Sequence, residues 1–111
     1  MGPEHRLAVY GTLAPGEINH DQLSGLDGRW FDGTVRGHLH HEGWGATLGF
    51  PAIVLDRDGP EVPVQMFEAP DLPDHWDRLD EFEGSAYQRR LTDVETADGA
   101  TQAFIYTLHD R

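Results

Sequence analysis

Apolar and polar positions along the chain change their spacing several times, and each change marks an element. Arg6–Leu13 is a short apolar stretch rich in strand formers that stops at Pro15-Gly16. Asn19–Leu26 carries pattern for a turn or two of helix, with Asn19 as N-cap. Arg29–His41 alternates loosely and reads as a strand with glycine interruptions. The glycines at 33, 37, 43, 45 and 49 point to bends, bulges or close backbone approaches. Phe50–Asp56 reads as a buried strand bounded by a turn at Asp58-Gly59-Pro60. Val62–Glu68 reads as another, with Pro63 near its start. Tyr87–Thr96 and Thr101–His109 flank Asp98-Gly99, a two-residue hairpin signal. The strands outnumber the helices and do not alternate with them. This predicts a mixed α+β fold: a small, mainly antiparallel sheet or barrel with one or two short helices.

The best helix covers Asp71–Glu83, with Asp71 as N-cap, Pro73 in the first turn and Gly84 as C′ residue. Leu72, Trp76 and Leu79 form the inward stripe, and at about 100° per residue the stripe next reaches Glu83. Asp74, Asp77, Asp80 and Glu81 are expected mostly on other faces. Glu83 also falls in the last turn, where the helix carbonyls disfavour an anion. Partial burial and the dipole both push its pKa upward, toward the range in which a carboxylate serves as general acid or base. The competing reading is a frayed helix end whose glutamate turns to solvent or pairs with an arginine.

Composition narrows the chemistry. The 111 residues fit one domain over 1–111. There are 20 acidic and 8 basic residues, all the latter arginine, for a formal net charge of −12. That balance disfavours nucleic acid and anionic membrane surfaces as partners. With no lysine and no cysteine, a Schiff base, a P-loop lysine, disulfides, cysteine-ligated metal and thiol catalysis are excluded. Neither serine, Ser24 or Ser85, lies in a G-x-S-x-G context. MGPEHR is not followed by a long apolar run, so a soluble cytoplasmic protein without signal peptide or membrane span is expected.

Two segments carry a resemblance. Tyr10-Gly11-Thr12-Leu13, followed by Pro15-Gly16 and Asn19-His20, resembles the N-terminal motif of the gamma-glutamylcyclotransferase-like superfamily, which includes gamma-glutamylamine cyclotransferases. Leu79-Asp80-Glu81-Phe82-Glu83-Gly84, then Tyr87 and Arg89, is similar to its LDxxEG…YxR segment. The resemblance implies a small mixed barrel with a cavity at one side. It implies that backbone N–H groups of the loop after strand one, here Gly11, Thr12 and Leu13, hold the γ-glutamyl part of a small substrate. It makes Glu83 the acid/base for an intramolecular attack that yields 5-oxoproline and a free amine, with no cofactor and no metal. The family's strand before the helix often reads VxGxVY. Here it is Val64-Gln65-Met66-Phe67, and a glutamine there narrows or polarises the cavity.

Other residues carry paired readings. Tyr10 lines the cavity or packs. Tyr87 donates its hydroxyl to substrate or to Glu83, or is a cross-strand aromatic. Arg89 shares Tyr87's strand face and either grips a carboxylate bidentately or pairs with an acidic neighbour. His38 and His40 share a strand face, but no third ligand is fixed by spacing, so no metal site is expected. The alternatives to an enzyme are a non-catalytic member of the same fold that binds a metabolite or protein, and an acidic interaction protein that mimics nucleic acid.

Overall fold

A computed structural model describes residues 2–10, 23, 25–40, 52–83 and 87–108, apart from the side chains of His40, Ala52, Glu83 and Leu108. The strands are β1 (Arg6–Val9), β2 (Arg29–His40), β3 (Ala52–Leu55), β4 (Glu61–Glu68), β5 (Tyr87–Thr96) and β6 (Gly99–Leu108). A 3-10 turn, Leu72–His75, runs directly into helix α1, Trp76–Glu83. The strand order is β3-β2-β4-β1-β6-β5, and a Thr34–Glu95 pairing joins β5 back to β2. Five strands thus close a barrel, and β3 attaches to β2. Every pairing is antiparallel except β1 with β6. This is the mixed α+β barrel with a short helix that the pattern predicts.

Period-two alternation sorts the side chains into two cores. Ala8, Val64, Met66, Ala103 and Ile105 pack inside the barrel with Val35, Ile53 and Val94. Their neighbours Leu7, Val9, Phe67 and Tyr106 point the other way, against Leu72, Trp76 and Leu79. β1 is therefore buried on both faces, which is why Leu7-Ala8-Val9 is a continuous apolar run. Leu23 joins the helix-side core. Each such fully buried large side chain contributes roughly 1.5–3 kcal/mol.

Charged groups seal the edges. Glu68 accepts from Arg6 Nε at 2.8 Å and Arg29 Nε at 3.0 Å, tying β4 to β1 and β2. The Arg6 hydrogen bond is the largest influence on Glu68, and with Arg29 it outweighs burial and holds the carboxyl below its usual range.

Three local expectations are corrected. β1 ends at Val9, and Tyr10 already stands outside the ladder; Gly11, Thr12 and Leu13 lie outside the described residues. Asp71 makes no side-chain capping bond, and its backbone is already helical, so the helix opens as a 3-10 turn. In the hairpin, Thr96 pairs with Gly99, and the connecting residues are Ala97 and Asp98. Neither has positive φ, so the mirror-image two-residue turn is absent; Gly99, at φ 110°, takes the conformation that favours glycine. Thr96 stabilises the turn by accepting the Asp98 N–H at 3.2 Å and donating to Gly99 O at 2.8 Å. The helix start at Asn19, the C′ role of Gly84 and the glycines at 43, 45 and 49 lie outside the described residues.

Candidate active site

Tyr10, which opens the first motif, lies at the same end of the barrel as Asp80, Tyr87 and Arg89 of the second. β1 runs parallel to β6, with Leu7 beside Phe104 and Ala8 beside Ile105, so Tyr10 emerges next to the C-terminal end of β6. β5 begins there too, since Tyr87 pairs with Leu108 and Arg89 with Tyr106. α1 packs across the same region through Trp76 and Leu79.

Tyr106 joins these parts. Its backbone carbonyl accepts the Tyr10 hydroxyl at 2.5 Å, and its own hydroxyl donates to Asp80 Oδ1 at 2.7 Å. The Tyr10 hydroxyl also accepts the Ile53 N–H at 3.2 Å, which draws β3 to the same end. Tyr10 packs against the barrel-interior core, as its alternation with Val9 requires.

Asp80 takes three charge-assisted or hydroxyl bonds. Besides Tyr106 it accepts from Arg89, Nε to Oδ1 at 2.9 Å and Nη2 to Oδ2 at 3.1 Å. This is the bidentate fork that guanidinium and carboxylate geometry favour. The guanidinium also lies 4.4 Å from the Trp76 ring centroid and 5.0 Å from that of Phe104. Burial pushes the Asp80 carboxyl upward, but the Arg89 and Tyr106 hydrogen bonds and the Arg89 charge prevail and leave it lowered. Asp80 is thus ionised at neutral pH and has no proton to give.

The placement of the expected site residues is mixed. Arg89 has an acidic neighbour as its partner. Tyr87 is half-buried and packs against the helix-side core. Glu83 closes the last turn of α1, and its side chain lies outside the described residues, as do Gly11, Thr12 and Leu13. Tyr106 is not among the expected site residues, and Asp80 is expected only as one of the acids on the outer faces of the helix. Asp80 does not belong with the outward acids: it is four residues from Trp76, about 40° off the inward stripe. That spacing, together with an arginine on the next strand, is the available signal. His38 Nε2 is 2.9 Å from Asp56 Oδ2. The hydrogen bond with His38 and the Asp58 N–H hold the Asp56 carboxyl low. A concavity of about 520 Å³ near the β2–β5 seam, lined by Thr34, Arg36, Asp56, Asp93 and Glu95 among others, includes none of the motif residues. No helix among the described residues is long and apolar enough to cross a membrane.

Comparisons with known proteins bear on this arrangement. A family model described as gamma-glutamyl cyclotransferase, AIG2-like, matches residues 7–111. The crystal structure of YkqA from Bacillus subtilis is similar at 28% identity and TM-score 0.74, over 95% of this chain and 36% of that one. The chain thus spans little more than a third of YkqA. An AIG2-like protein from Mus musculus is similar at 26% identity and TM-score 0.74, over 93% of this chain and 76% of that one. An uncharacterized protein from Pyrococcus horikoshii is similar at 26% identity and TM-score 0.65, over 96% and 79% of the two chains. Curated protein sequences give no match.

Proposed function

The chain belongs to the gamma-glutamyl cyclotransferase, AIG2-like family, and from that premise we propose that it cyclises a small γ-glutamyl amine or peptide to 5-oxoproline, with Glu83 as general acid/base. The observation that carries this reading is Tyr106, whose carbonyl binds Tyr10 of the first motif and whose hydroxyl binds Asp80 of the second. It ties Tyr10, the first residue of the first motif, to Asp80 in the last turn of α1, which supports the reading that the two motifs share a site.

The reaction exchanges one amide for another. Glu83 takes a proton from the substrate's α-amino group, and that nitrogen attacks the γ-carbonyl carbon, forming the ring C–N bond. The carbonyl oxygen gains negative charge, and the backbone N–H groups of Gly11, Thr12 and Leu13 are the assigned donors to it. Collapse breaks the original C–N bond, Glu83 returns its proton to the departing nitrogen, and the ring nitrogen's second proton passes to the released amine, which leaves as an ammonium. The nucleophile belongs to the substrate, so no serine, cysteine or lysine is needed. The enzyme's main task is to fold the glutamyl chain into an attacking geometry. A glutamate at a helix C-terminus suits the base role, since the dipole there raises carboxylate basicity.

The test is 5-oxoproline release from γ-L-glutamyl-L-alanine and γ-L-glutamyl-n-butylamide. Glu83→Gln is expected to lower kcat by about 10²–10⁴-fold with an unchanged circular dichroism spectrum. Full activity in that variant would sink the assignment.

A further inference from the structure

α1 is a short helix whose apolar anchors stop early. Leu72, Trp76 and Leu79 are buried, whereas Glu81 is exposed and Phe82 is 38% exposed. One residue past Leu79, Asp80 is bonded to the barrel strands through Arg89 and Tyr106. Eight residues make about two turns, too few to hold their own geometry in water. The Arg89 and Tyr106 bonds anchor Asp80, the first residue of the turn that ends in Glu83.

It is held from both sides. Arg89 and Tyr106 are cross-strand partners on β5 and β6, so the sheet fixes their spacing. Arg89 is itself pinned against Trp76 and Phe104. A planar fork plus a hydroxyl leaves the Asp80 carboxylate little freedom in position or rotation. Glu83 follows three residues later, about 4.5 Å along the helix axis. The Tyr106 carbonyl holds Tyr10 in turn.

We propose that Asp80, Arg89 and Tyr106 are positioning residues that lock the last turn of α1, and with it Glu83, in place relative to Tyr10. This rests on the reading of Glu83 as the base. It assigns Arg89 to the helix rather than to the substrate's carboxylate. A displacement of about 1 Å in a catalytic group costs on the order of 10²-fold, so a small set of polar contacts remote from the reacting atoms governs turnover.

The test compares the wild type with Asp80→Asn, Tyr106→Phe and the double variant, and uses Arg90→Ala, at an exposed position of β5, as control. Amide hydrogen exchange and steady-state 5-oxoproline release from γ-L-glutamyl-L-alanine are both measured. In Asp80→Asn, amides of residues 80–83 are expected to exchange at least about tenfold faster while the β5–β6 hairpin keeps its protection. kcat is expected to fall about 10- to 100-fold with KM within about threefold. Tyr106→Phe should lower kcat less, and the double variant should be no slower than Asp80→Asn, because both act on one network. Arg90→Ala should match the wild type. Protection lost evenly across the molecule, or exchange at 80–83 left unchanged, would overturn the proposal. So would an unchanged kcat, or a raised KM at constant kcat, which would return Arg89 to substrate binding. If the wild type releases no 5-oxoproline, the activity reading fails, and the exchange pattern alone decides whether the network locks the turn.

Discussion

Gln65, on β4, shows how much one side chain can carry. Its side-chain oxygen is buried without a hydrogen-bond partner among the described residues, although it stands between Val9 and Asp32 in the ladder. A buried acceptor left unpaired costs about 1–3 kcal/mol. Gln65→Leu keeps most of the volume and removes the oxygen, so it is expected to stabilise the fold by about 1 kcal/mol. The reading is a higher urea midpoint at constant m. A lower midpoint would mean that water or a ligand satisfies the oxygen in solution. Asp80 makes the complementary point about legibility. An acid about 40° from a helix's apolar stripe looks like surface charge until the strand that carries its arginine is folded against it. The contact with Arg89 spans nine residues, and the one with Tyr106 spans 26. No local period reports either. Position 83 could be singled out because the stripe runs straight to it.

Elements were more legible than their joints. Each of the six strands lies where alternation or a continuous apolar run puts one, because burial is what the pattern records. Their ends depend on contacts the pattern does not record. Asp98-Gly99 correctly marks a hairpin, but the glycine belongs to the ladder and the turn sits one residue earlier. β2 shows a joint that composition hinted at. It pairs with β4 through Arg36 and with β3 from Gly37 onward. A Cβ at Gly37 would lie 2.5 Å from the Val54 carbonyl oxygen, which is backbone and cannot swing aside. Gly37→Ala is therefore expected to destabilise by about 1–3 kcal/mol, chiefly by prising β3 from β2. At Gly25 a Cβ meets nothing within 4 Å and φ is ordinary. Gly25→Ala should be neutral or stabilising by about 0.5 kcal/mol. Paired thermal melts check the order, and equal effects at the two positions would contradict it.

At the scale of the whole molecule, the formal net charge of −12 is spread over principal extents of 33 × 29 × 26 Å. At 0.01 M salt the Debye length is about 30 Å, comparable with the molecule, so a substrate approaching the barrel end feels nearly all of that charge; at 0.15 M it is about 8 Å, and only neighbouring groups count. The three carboxyls held low, Asp56, Glu68 and Asp80, stay ionised at neutral pH and leave the field undiminished. The two probe substrates differ in the charge they bring. γ-L-Glutamyl-L-alanine carries two carboxylates and one ammonium, while γ-L-glutamyl-n-butylamide carries one of each. The field opposes the net anion and is indifferent to the neutral zwitterion. Raising salt from 0.01 to 0.15 M is thus expected to raise kcat/KM for the dipeptide roughly two- to fivefold through its on-rate and to leave the butylamide nearly unchanged. Steady-state rates at constant pH across a sodium chloride series check this. A dipeptide rate that falls with salt would mean that a local cation outweighs the global charge at the site, and since Arg89 is committed to Asp80, that cation would have to be sought elsewhere on the chain.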